Sequence, residues 1–190
     1  PNLAQVPQGH EFRELFYPGE GFQQVGADAS GLELRCLAHY LARFDGGKFG
    51  KTLLEGDIHQ TLADIYSTDR RTGKTVTYCL IYGGGDTKLG LSAGASKKDA
   101  AKRGKEIRAS IMKDLDGFAD LIAAVQARAE SGVIYGIDGR PIRIKKPHAS
   151  LNYLLQSCGA VICKDWVVRT NELLISSKLD FVPLAFIHDE

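Results

Sequence analysis

No apolar run approaches the ~20 residues that a helix needs to cross a bilayer, and Pro1-Asn2-Leu3 opens no signal peptide. A membrane-spanning or exported protein finds no support in the sequence. The four cysteines, Cys36, Cys79, Cys158 and Cys163, form no C-x-x-C pair, and the five histidines are scattered. That pattern argues against a zinc ligand set. The thiols stand among apolar residues, so they are expected to be buried and free, in a reducing compartment. Net charge is only +1, so bulk charge does not point to nucleic acid. Internal repeats and low-complexity tracts are absent. What is present is 44% hydrophobic residues in 190, enough to fill the core of one domain or two small ones. The start without Met and the end at His188-Asp189-Glu190 suggest a piece of a longer chain.

The most informative stretch runs from Arg70 to Gly83. Its spacing predicts a helix with Arg70, Lys74, Tyr78 and Tyr82 in one slowly drifting row, about 6 Å of rise per step. Val76, Leu80 and Ile81 give the helix an apolar side, and Gly83-Gly84-Gly85 stops it, because glycine favours the left-handed conformation that ends helices. The row has two cations at its start and two rings at its end. Arg offers a fork of donors and Lys a mobile charge; a helix start adds free N–H groups; a tyrosine face packs on a base or sugar. A nucleotide has both a charged end and a flat end. The competing reading is a solvated basic turn followed by two core tyrosines. Gly73-Lys74-Thr75 also looks like the tail of a P-loop, but Thr68 stands where that motif needs glycine, and Ala63-Asp64-Ile65-Tyr66 continues a helix where it needs a strand.

Along the chain, residues 1–21 read as loop, with a short strand or turn over Glu11–Phe16 and no signal in Arg13 alone. Phe22–Asp28 reads as a short strand ending in an acid. A helix follows from about Leu32 to Phe44, with Leu34, Leu37, Leu41 and Phe44 on one face. Two readings stand for Asp28, a helix cap and a metal-binding carboxylate at a sheet edge. Glu33 reads as a first-turn surface acid. Asp45-Gly46-Gly47 is a break. Asp57 and Gln60 are spaced as a capping box for a helix whose first turn holds His59, a phosphate donor or an ordinary surface histidine. Ser96–Asp99 resembles another cap, for a helix to about Leu115 that Gly104 can bend. Residues 116–131 are amphipathic through Phe118, Leu121, Ile122 and Val125. Val133–Ile144 reads as a hairpin around Asp138-Gly139, a type I′ turn signal.

A long helix is then expected from about Ala149 to Ser177, its buried stripe running through Leu151, Leu154, Leu155, Cys158, Ile162 and Trp166. His148, Asn152 and Gln156 step by four along another face, either a solvated face or a row that reaches base edges and sugars. Phe181–Ile187 reads as an apolar strand running into His188-Asp189-Glu190. Two basic patches, Lys97–Arg108 and Arg140–Lys146, read as solvated faces.

Two predicted strands thus end in acids, Asp28 and Asp189. As neighbours in one sheet they would share a pair of divalent cations ~3.5–4 Å apart, and hard carboxylate oxygens suit magnesium. With a cationic, ring-bearing helix this is the equipment of nucleotidyl transfer.

At this point three ordered motifs resemble a known family. Val25–Arg35 resembles motif A of the family A (Pol I-like) DNA polymerases. Arg70-x-x-x-Lys74-x-x-x-Tyr78-x-x-x-Tyr82-Gly83 resembles motif B, and His188-Asp189-Glu190 resembles motif C. Wording such as Gly56-Asp57-Ile58-His59 and Leu154-Leu155-Gln156-Ser157 is similar to the podovirus phage branch. The resemblance covers nearly the whole chain. It implies an α+β fold, a polymerase palm with a small antiparallel sheet and helices. The palm would comprise residues 1–45 and 147–190, with mostly helical fingers inserted at 46–146.

The resemblance also implies roles. Asp28 and Asp189, with the Ala29 carbonyl, would hold two Mg²⁺ ions, and Glu190 would sit near them. Arg70 and Lys74 would bind the dNTP triphosphate, with Lys74 protonating pyrophosphate and His59 touching the same phosphates. Glu33 would reject a ribose 2′-hydroxyl, Tyr78 would pack on the sugar, and Tyr82 with Gly83 would guard the templating base. Arg13, His148, Asn152, Gln156 and His188 would contact primer–template DNA. It further implies a phage enzyme acting in the host cytoplasm, with no membrane contact and a processivity factor reached through a thumb absent from these residues. The fragment alone is expected to polymerise poorly. A non-catalytic primer–template binder, a two-metal nuclease and a phage RNA polymerase relative are the alternatives. Glu33 argues against the last, and the small number of acids against the nuclease.

Overall fold

The computed structural model describes residues 6–7 and 9–187, apart from the side chain of Arg13. These residues form nine α-helices and one two-stranded antiparallel sheet. The chain divides into two compact units. The larger is Glu33–Gly159, and the smaller takes the described residues on either side of it.

In the larger unit, α2 (Leu32–Asp45) buries Leu34, Leu37 and Leu41 as its spacing predicts. The break that follows is brief. Asp45 turns back into the protein, accepting from the Gly47 and Phe49 amides at 2.7 Å each. It thereby starts α3 (Lys48–Glu55), a short helix the sequence reading passes over. In α4 (Ile58–Tyr66), Asp57 caps the helix by accepting from the Gln60 amide at 3.1 Å. The return half of the expected capping box is missing: the Gln60 side chain donates to Asp64 instead, at 2.7 Å. Helix α5 (Arg70–Ile81) is capped by Asp69, which accepts from the Thr72 amide. It ends at Gly83, whose φ of 75° is the left-handed conformation expected of it.

Helix α6 (Asp86–Ser92) is also unforeseen, and its pairing with α7 (Ala100–Asp114) explains it. Two glycines let the helices meet at backbone distance. A Cβ on Gly90 would overlap the Ala100 carbonyl, and one on Gly104 the Asp86 carbonyl. Gly104 therefore does not break α7; it is a buried contact point in an uninterrupted helix. Helix α8 (Phe118–Ala129) leads into β1 (Val133–Tyr135) and β2 (Pro141–Arg143), in the register Val133↔Arg143, Ile134↔Ile142, Tyr135↔Pro141. The loop between the strands is wider than a type I′ turn. Gly139 alone is left-handed there, at φ 78°, and Asp138 is not, whereas type I′ needs both.

A 3₁₀ turn at Pro147–Ala149 then feeds α9 (Ser150–Ser176), the longest helix. Its stripe is buried at Leu151, Leu154, Leu155 and Cys158, but Ile162 is exposed. The four cysteines are buried thiols outside any disulfide, as expected. The Cys36 thiol hydrogen-bonds Cys158 and pulls its pKa down to about 7.

In the smaller unit, Glu11–Phe16 is partly helical: α1 is His10–Arg13. Phe22–Asp28 and Phe181–Ile187 are irregular chain rather than the predicted strands. A short apolar run alone does not make a strand; it needs a ladder partner for its N–H and C=O groups, and β1–β2 is the only ladder among the described residues. No described helix is long and apolar enough to cross a membrane.

Candidate nucleotide-binding site

The row on α5 forms as the spacing requires. Arg70 and Lys74 are exposed at its start, while Tyr78 is half-buried further along. The Tyr78 and Tyr82 rings stack at 6.2 Å between centroids, 28° from parallel. The His59 ring of α4 also neighbours Tyr78, at 6.5 Å between centroids. Three rings thus gather about Tyr78 in the second half of the row, with two cations before them.

Both ends of this helix are tied to neighbours. At its start, Arg70 Nε donates to Asp57 Oδ2 at 2.7 Å, the same carboxylate whose other oxygen caps α4. The guanidinium holds Asp57 below the usual carboxylate range, and Asp57 in turn raises Arg70. Asp57 was read only as a cap; the Arg70 pairing is new information from the fold. Lys74 has no acidic partner among the described residues. At the other end, the Tyr82 hydroxyl donates to Glu33 Oε1 at 2.5 Å. Glu33 is 7% exposed, so it is a buried acceptor and not the surface acid that its first-turn position suggests. One residue on, Gly83 lies against α9: a Cβ there would meet Ala149 Cβ at 3.7 Å and Asn152 Cβ at 3.9 Å.

Helices α2, α4, α5 and α9 therefore meet around the row, and two polar atoms beside it are unspent. His59 Nδ1 and Asn152 Oδ1 are buried without a protein partner. Buried polar atoms are normally hydrogen-bonded, so each has capacity left for a ligand or water. Burial first, then the charges of Lys74 and Arg70, push the His59 pKa below its ordinary value. The imidazole is neutral near pH 7 and adds no repulsion to the two cations. Of the other α9 candidates, Gln156 is half-buried one turn beyond Asn152, and His148 is exposed in the 3₁₀ turn.

Asp28 and Ala29 belong to the smaller unit, in irregular chain where Asp28 is exposed. Helix α2 begins only at Leu32, so Asp28 is too far ahead to cap it. Arg13 lies at the end of α1. His188, Asp189 and Glu190 lie outside the described residues. The compact units divide after Leu32 and after Gly159, whereas the resemblance implies limits at 45 and 147.

The sequence model described as "DNA polymerase family A" matches residues 1–190. The DNA-directed DNA polymerase of Escherichia phage T7 is 39% identical over all of this chain and 31% of its own length. That of Enterobacteria phage T3 has the same identity and coverage. DNA polymerase I of Pseudomonas aeruginosa is 27% identical over all of this chain and 23% of its own length. Among solved structures, the POL domain of Pol1 from M. smegmatis, in complex with DNA primer-template and dNTP, superposes with a TM-score of 0.74. It covers all of this chain and 37% of that one at 23% identity, a likeness of fold. The fold is that of a polymerase domain, α+β with a small antiparallel sheet among helices. The chain belongs to the family A DNA polymerases, and it spans less than a third of the length of the two phage proteins.

Two outcomes follow from the clamped helix. Tyr82→Phe keeps the stacked ring but removes the donor to buried Glu33. It is expected to lower unfolding stability by about 1–3 kcal/mol in urea titration; an unchanged midpoint would show that the bond contributes nothing. For His59, the unfolded chain takes up a proton near the ordinary value of 6.5, while the folded chain resists until lower pH. Stability therefore falls as pH drops from above 6.5 through the lowered folded value, then levels off. His59→Gln is expected to lose less stability than the parent between about pH 7.5 and about pH 5, measured by the same titration; equal losses would contradict the neutral, buried imidazole.

Proposed function

We propose that these residues form the dNTP-binding and primer–template-binding part of an enzyme of template-directed DNA synthesis, transferring a nucleotidyl group from a dNTP to a primer 3′-hydroxyl. The observation that carries the reading is the α5 row, with two exposed cations followed by stacked rings. The row sits beside a buried carboxylate and two unspent polar atoms.

In this reading Arg70 exchanges Asp57 for triphosphate oxygens, and Lys74 neutralises charge on the same group and gives a proton to the departing pyrophosphate. Such fixed cations help because charge grows there as the bond breaks. His59 Nδ1, unspent in the fold, bonds a phosphate oxygen. Tyr78 packs on the sugar. Glu33, held by Tyr82, closes the space a ribose 2′-hydroxyl would need and so selects deoxynucleotides. Tyr82 and Gly83 border the templating base. Arg13 and Gln156 reach minor-groove acceptors common to all correct pairs, and His148, Asn152 and His188 contact the primer–template. Subdomains follow the family pattern, palm at 1–45 and 147–190 and fingers at 46–146.

Family A enzymes work with divalent cations. The donor set here fits such an ion: Asp28 is an exposed hard-oxygen carboxylate, and Asp189, the Ala29 carbonyl and nearby Glu190 are of the same chemical kind. We take the ions to be two Mg²⁺. Bound there, they supply Lewis acidity and charge neutralisation at the reacting phosphate. The setting is the cytoplasm of a phage-infected host, with a processivity factor engaging a thumb. The 190 residues alone extend a primer poorly, since they match only 31% of the phage polymerases.

The test is Lys74→Ala in a polymerase reconstituted from this chain and the remainder of a phage relative. Single-turnover incorporation should show kcat/KM for dNTP lowered by about 10- to 1,000-fold, with primer–template affinity nearly unchanged. Incorporation like the parent would remove Lys74, and with it the row, from the reaction.

A further inference from the structure

Two of the four thiols are neighbours, and the nucleotide site uses neither. Cys36 stands in the second turn of α2, Cys158 on the buried stripe of α9, and both belong to the larger unit. They are 1% and 0% exposed, and the Cys36 thiol donates to the Cys158 sulfur. Tyr40, one turn after Cys36 on the same face of α2, brings its hydroxyl to that sulfur as well. No oxygen or nitrogen satisfies the buried Tyr40 hydroxyl, so the sulfur is the acceptor beside it. No third His, Cys, Asp or Glu joins the pair as a metal ligand among the described residues. The cluster is a dithiol.

Donors aimed at one sulfur favour its charged form. Burial acts the other way, but the Cys36 bond outweighs it and pulls the Cys158 thiol down to about 7. The thiolate is the nucleophilic form of cysteine, whereas a thiol buried among apolar side chains alone is pushed up and inert. Cys158 therefore combines two features that packing does not require: activation, and a second thiol already in contact.

We propose that Cys158 and Cys36 form an oxidation site, a buried dithiol that hydrogen peroxide converts into a disulfide joining α9 to α2. The Cys158 thiolate attacks one peroxide oxygen. The O–O bond breaks, an S–O bond forms, and the departing hydroxide takes up the proton that the thiol released, giving water and a sulfenic acid. The Cys36 sulfur then attacks the Cys158 sulfur. The S–S bond forms as the S–O bond breaks, and the second hydroxide leaves as water with the Cys36 proton. Two thiols are oxidised and one peroxide is reduced to two waters. Because Cys36 is at hand, it captures the sulfenic acid before a second peroxide carries it further along the oxidation ladder. Burial selects the oxidant: local opening admits a small peroxide and turns away a glutathione-sized disulfide. The bond closes nearly all of the larger unit, Glu33–Gly159, into one covalent loop. It also fixes α2, which carries Glu33, to α9, which carries Asn152. The inference stands apart from the nucleotide reading and does not depend on it.

The chain is treated with hydrogen peroxide in native buffer near neutral pH and mapped by mass spectrometry without reduction. The peptides holding Cys36 and Cys158 are expected as one cross-linked species, about 2 Da lighter than the two apart. Cys79 and Cys163, buried as well, are expected to stay open to alkylation once the treated chain is unfolded. Cys36→Ala should leave Cys158 as a sulfenic acid that dimedone traps. Cys158→Ala should slow oxidation at Cys36 by at least about tenfold, since the activated thiolate is gone. The parent chain alone overturns the proposal if both thiols survive peroxide, if either gains oxygen without a cross-link, if the cross-link uses Cys79 or Cys163, or if it forms only in urea that unfolds the chain. Equal oxidation of the two single variants would overturn the assignment of Cys158 as the attacking sulfur.

Discussion

The Tyr82–Glu33 hydrogen bond holds the end of α5 to the start of α2, and a buried carboxylate has few other ways to be satisfied. Together with the buried Val76, Leu80 and Ile81, it holds the rotation of α5. Rotation matters most. A helix that turned by one residue, about 100°, would point Lys74 and the tyrosines at different neighbours, and the row would no longer face one ligand. The site is therefore less a set of residues than the consequence of one helix held in one orientation.

The two ties differ in kind. The one at the ring end is part-buried and neutral-to-charged, strong where water is scarce. The one at the cation end is an exposed ion pair, of the sort worth little in water. A triphosphate that offers several anionic oxygens can displace Asp57 from Arg70 without breaking the packing of α4 on α5. Rigid rings and releasable cations suit a site that keeps its geometry while its charged ligand comes and goes.

How far this was legible in the sequence depends on range. Helix α5, its row and its glycine stop were readable, because side-chain spacing and a single left-handed residue decide them locally. The hairpin and the long α9 were readable for the same reason. Helices α3 and α6 were not: both are short, contain glycine, and exist because Asp45 caps one and Gly90 and Gly104 let the other nestle on α7. Strands over 22–28 and 181–187 were expected from short runs that lead into acids, yet a strand is a property of two segments and no sequence pattern names its partner. Glu33 was foreseen as a site residue only through the family resemblance; its burial by Tyr82, 49 residues away, is a tertiary fact. The same holds for the Asp57–Arg70 pair and for the unspent atoms of His59 and Asn152.

A crystal structure of the polymerase with primer–template and dNTP tests the central claim most directly. The account predicts triphosphate oxygens within about 3 Å of Lys74 Nζ and the Arg70 guanidinium, the Arg70–Asp57 bond given up or shared, and the sugar against Tyr78 with Tyr82 still on Glu33. A triphosphate bound away from α5, with Arg70 still closed on Asp57, would contradict it.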